Sequence, residues 1–79
     1  MTLTPGAIRR IATDVLRDEA LPFDVIAAWR SIPKSPYIEI VLSRWKADAG
    51  PERVFIGVND WMSESQIRQT VTSRVHAQL

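Results

Sequence analysis

Residues 37–45, YIEIVLSRW, decide the fold. They alternate at the two-residue period of a β-strand, with Ile38, Ile40 and Leu42 on one parity and Tyr37, Val41 and Trp45 on the other. Both parities are therefore apolar. In a chain of 79 residues the rest of the protein has enough material to cover one face of a sheet, which leaves the question of what the second face touches.

Two further strands flank this one. FDVIAAWRS (residues 23–31) precedes it across the turn IPKSP, whose two prolines bar regular pairing. RVFIGVN (residues 53–59) comes after it across the turn KADAGPE, with Val54, Ile56 and Val58 on one face and Arg53, Phe55 and Gly57 on the other. Connections this short between consecutive strands predict an antiparallel meander. A loop centred on Asp48–Gly50 pairs Leu42 with Ile56 and Ile40 with Val58, keeping the aliphatic side chains together. That register sets Trp45 opposite Arg53, Ser43 opposite Phe55, and Gly57 opposite Val41 beneath an aromatic neighbour. The IPKSP loop leaves the parity of the first strand open by one residue. The volume left by medium-sized helix residues favours Phe23, Val25 and Trp29 inward, with Ile26, Ala28 and Arg30 outward.

A helix is expected on each side of the meander. Thr4 suits an N-cap and Pro5 the first helical position, where no amide donor is needed. Ile8, Ile11, Ala12, Val15 and Leu16 then recur at helical spacing until about Ala20, ahead of Pro22. Near the C-terminus, Ser63 with Gln66 three residues on is a capping-box pattern, and Glu64 is well placed in the first turn. Ile67, Val71, Val75 and Leu79 form a narrow stripe, and Trp61 is expected to staple the start of this helix against Ile67.

The chain thus reads as α+β: residues 1–79 form one two-layer α-β-β-β-α domain, a three-stranded antiparallel sheet with two helices on one face. In element order and length, over most of the chain, it resembles the double-stranded-RNA-binding domains. That resemblance implies contacts from the start of the second helix, the first helix and the loop between the first two strands. The matching positions here hold Arg68 in SESQIR, Arg9 and Arg10, and Lys34, with Glu64 where the family carries cations. A second nucleic-acid mode would stack single-stranded bases on Tyr37, Trp45 and Phe55 beside Arg53.

Composition points elsewhere. Ten basic residues against nine acidic ones give a net charge of +1, too little for a strong general affinity for phosphate. Eight of the ten are Arg, the cation favoured at protein interfaces. There is no cysteine and one histidine, His76 near the C-terminus, so the usual zinc spacings are missing, as are nucleotide-binding and nucleophile-elbow motifs. No catalytic, cofactor-binding or metal-ligating residue is expected. No apolar run approaches a membrane span, and the start MTLTPGAIRR has no signal-peptide pattern, so the chain reads as soluble and cytoplasmic, with no membrane partner.

The expected function is that of a small non-enzymatic protein-binding module: an adaptor, regulator or inhibitor of the kind phages and mobile elements carry. Its partner, a different protein or a second copy, would dock on the outer sheet face. The residues expected to carry binding are Tyr37, Val41, Trp45, Phe55, Arg30 and Arg53, with Glu39 adding a negative charge. A nucleic-acid-binding module using Arg9, Arg10, Lys34 and Arg68 is the alternative.

Overall fold

A computed structural model describes residues 2–45 and 52–79, so the turn expected around Asp48–Gly50 lies outside the described residues. The element order is α1 (Pro5–Asp18), β1 (Phe23–Trp29), β2 (Tyr37–Arg44), β3 (Arg53–Asn59) and α2 (Glu64–His76). The sheet is antiparallel with β2 in the middle, and both helices pack on one face of it.

Local chemistry sets the helix ends. The Thr4 hydroxyl accepts from the Ala7 amide at 3.1 Å, and Pro5 opens α1. At the other end the Ala20 amide donates to the Arg17 carbonyl and the Leu21 amide to the Leu16 carbonyl. This is a Schellman closure, with buried Leu16 and Leu21 as its apolar contact. Ala20 adopts φ 51°, the left-handed conformation usually given to glycine. In α2 the capping box is complete: Ser63 Oγ accepts from the Gln66 amide, and Gln66 Oε1 accepts from the Ser63 amide. Met62, not Trp61, occupies the staple position before the N-cap and packs on the core, while Trp61 is 60% exposed. Leu79 lies beyond the end of α2 and is exposed, so the buried stripe is Ile67, Val71 and Val75.

The core fills the space between the helices and the inner sheet face. Ile8, Val15, Ile67, Val71 and Val75 meet Ile38, Ile40, Leu42, Ile56 and Val58, all almost fully excluded from solvent. The helices run in the same sense: Glu64 lies beside Ala7, Arg10 and Asp14, and one turn further on Arg68 pairs with Asp18 at 3.0 Å.

The register of β3 differs from expectation by two residues. Ile38 pairs with Val58, Ile40 with Ile56, and Leu42 with Val54. The expected register would have set Ile38 against Asp60 and Val54 against Arg44; the observed one matches three aliphatic pairs instead. A shift of two leaves every side chain on its face, so the inner and outer sets of β2 and β3 are as expected. Ser43 now faces Arg53, Val41 faces Phe55, and Gly57 faces Glu39.

β1 departs more sharply. Val25 pairs with Leu42 but Ala27 with Val41, so Ile26 is an extra residue, a β-bulge. The bulge reverses the parity of the rest of the strand. Phe23 and Val25 point inward as expected, whereas Ala28 rather than Trp29 lies opposite Ile40 on the inner side. Trp29 stands opposite Glu39 on the outer face and is 54% exposed.

Candidate functional site

The outer face is built by register. From the β1–β2 loop end, its rows are Tyr37 opposite Asn59; Trp29, Glu39 and Gly57; Ala27, Val41 and Phe55; and Asp24, Ser43 and Arg53. Phe55 is 55% exposed and Tyr37 39%, so with Trp29 three aromatic side chains are presented to solvent. Val41, at the centre, is buried beneath its neighbours and forms the floor of the face rather than part of its accessible surface.

Gly57 makes room for Tyr37. A β-carbon at Gly57 would come within 2.5 Å of the Tyr37 ring, so the ring lies across the glycine and covers its bare backbone. Three charged side chains complete the face, the exposed Asp24 at its β1 edge among them. Glu39 is half-buried between Trp29 and Gly57, and Arg53 is exposed beside Ser43. Neither has an ion pair or side-chain hydrogen bond among the described residues.

Two of the residues expected to carry binding lie elsewhere. Arg30 is turned off the outer face by the bulge. Its guanidinium donates to Asp60 Oδ2 at 3.0 Å and to the Ser35 carbonyl, holding the β1–β2 loop against the segment after β3. Asp60 is itself buried, and its backbone accepts from Leu3 and donates to Pro36, so Arg30 serves a structural clamp. Trp45 lies just past the last residue of β2, and its amide donates to the Pro22 carbonyl. Its ring lines a groove of about 270 Å³ with Thr13, Leu16, Arg17, Phe23 and Val25, between the end of α1 and the start of β1. It is exposed, but it belongs to that groove and not to the row of Arg53.

The alternative set does not converge. Arg9 donates to the Val25 carbonyl at the β1 edge, and Arg68 pairs with Asp18. Arg10 lies among Asp14, Glu64 and apolar neighbours, and Lys34 sits in the β1–β2 turn with φ 66°. These cations occupy separate neighbourhoods, two of them engaged internally. Among the described residues no three His, Cys, Asp or Glu side chains are grouped to hold a metal ion, and no helix is long and apolar enough to cross a membrane.

Arg44 has a structural role that the sequence expectations lacked. It shares the parity of Ile38, Ile40 and Leu42, so it points inward. Its guanidinium stacks 4.8 Å from the centre of the Phe23 ring and donates to the Gln78 carbonyl, closing the core beneath the C-terminus. Parity alone would have found it.

No family model matches this chain, and no curated protein or solved structure matches it either.

Proposed function

We propose that this protein is a non-enzymatic binding module whose outer sheet face docks another protein surface, as an adaptor, regulator or inhibitor does. The observation that carries this reading is the exposure of Trp29, Tyr37 and Phe55 on one face, around the buried Val41. Aromatic side chains supply large contact area with little conformational entropy to lose, and they dominate the energetics of protein interfaces. Glu39 within the same patch weighs against a nucleic-acid ligand, because phosphates brought over those rings would approach an uncompensated carboxylate.

The test is partner capture with two sets of variants. On this reading Phe55→Glu abolishes binding, Arg9→Ala, Arg10→Ala and Arg68→Ala retain it, and the affinity falls only modestly with salt. Binding that survives Phe55→Glu but falls steeply with salt and with the arginine variants would reverse the assignment.

A further inference from the structure

The outer face is complementary to itself, and we infer that its occupant is a second copy of this chain, stacked face to face about a two-fold axis. This inference rests on the reading of that face as a protein-docking surface and names its partner.

Charge supplies the first reason. Glu39 on β2 and Arg53 on β3 lie on the same face without partners among the described residues, and the exposed Asp24 stands apart from them at the β1 edge. Gly57, opposite Glu39, is four residues along β3 from Arg53. At about 3.3 Å per residue and about 4.8 Å between strands, the two charges are roughly 14 Å apart, too far to pair within one chain. Their midpoint falls at Val41 and Phe55, which face each other in the register. A two-fold axis in the plane of the face, through that midpoint and perpendicular to the line joining the charges, exchanges them. Glu39 of each copy then meets Arg53 of the other, and the two Phe55 rings meet at the centre. An isologous interface needs this property, since each contact occurs twice.

The sheet edges favour stacking over side-by-side extension. At the β1 edge the Val25 carbonyl is taken by Arg9, and the bulge at Ile26 breaks the strand's regular edge. At the β3 edge Arg74 donates to the Phe55 carbonyl. Bulged and arginine-capped edges resist the addition of a further strand. The face remains.

Size sets the strength. Three strands of seven or eight residues present a face of roughly 15 by 23 Å, small beside the about 800 Å² per partner of a standard stable interface. The dimer is therefore weak and concentration-dependent, assembling in the micromolar range or above.

Sedimentation equilibrium of the full chain, at micromolar to millimolar concentration, tests this through a charge exchange. Glu39→Arg and Arg53→Glu each turn two attractions into two repulsions and should weaken self-association about tenfold or more. The double variant, Glu39→Arg with Arg53→Glu, should restore it to within about threefold of wild type, because the pairs reform with reversed sign. Far-UV circular dichroism verifies folding, and Glu39→Gln and Arg53→Gln replace any reversal that unfolds the chain, with weakening again expected. A monomeric wild type at millimolar concentration overturns the inference, leaving the docking face to be judged by Phe55→Glu and partner capture. A dimer that ignores the charge variants also overturns it. If that dimer ignores Phe55→Glu as well, self-association uses another surface and gives the outer face no support.

Discussion

The ring of Tyr37 lies across Gly57, so close that a β-carbon there would sit 2.5 Å from Cε1 and 2.6 Å from the hydroxyl oxygen. The contact fixes one aromatic of the outer face while leaving the strand beneath it without a side chain. The clashing atoms are the far end of a Tyr37 side chain that is 39% exposed, so Gly57→Ala should move the ring at little thermodynamic cost. The expected change in stability is within about 1 kcal/mol. The Tyr37 ring resonances should shift, and binding through the face should weaken. Thermal melts with aromatic NMR spectra check both halves.

Ala20 is the counterpart of this glycine. It holds a left-handed backbone at φ 51° to close α1, a conformation that costs an L-residue about 1 kcal/mol or more. Ala20→Gly should therefore stabilise the protein by about 1 kcal/mol, read from the shift of the urea midpoint. Destabilisation would mean that the Ala20 methyl contributes more packing than its conformation costs.

The bulge at Ile26 exchanges the faces of two neighbouring residues, sending Trp29 out and Arg30 in to Asp60. Arg30→Met should cost about 2 kcal/mol, because it leaves the largely buried Asp60 carboxylate without its partner. Deleting Ile26 should cost less, since it removes only the extra residue and leaves regular alternation that keeps Ala27 opposite Val41, Trp29 opposite Glu39 and Arg30 at its clamp. Urea denaturation gives both values. A deletion variant less stable than Arg30→Met would show that Ile26 itself, and not the pairing on either side of it, holds these side chains in place.

Adjacent residues before α2 differ in the same checkable way. Met62→Ala should lose about 1–2 kcal/mol, because Met62 packs on the core. Trp61→Ala should lose less than about 0.5 kcal/mol, because Trp61 is largely exposed. The same urea titration separates the two.

Much of this fold is legible in the sequence, for physical reasons. Both helix starts are written in capping residues, Thr4 with Pro5 and Ser63 with Gln66, whose hydrogen bonds are local. The inner faces of β2 and β3 come from period two, and they survive a two-residue register error because that slip preserves parity. Matching Ile38 with an aliphatic partner, rather than with Asp60, removes the error. The bulge is not legible. FDVIAAW contains no glycine or proline to mark it, and the choice depends on how Trp29 and Arg30 satisfy the whole fold. That one inserted residue accounts for the misplacement of Trp29, Ala28 and Arg30. Trp45 is misplaced for a simpler reason: β2 ends at Arg44, and alternation predicts nothing past the end of a strand.

The outer face as the place where this protein meets its partner is tested most directly by a concentration series of ¹H–¹⁵N NMR spectra. Progressive shifts are expected at Trp29, Glu39, Val41, Arg53 and Phe55, with the exposed helix positions Arg10 and Gln69 unmoved. Shifts confined to the helices, or to the Trp45 groove, would contradict it.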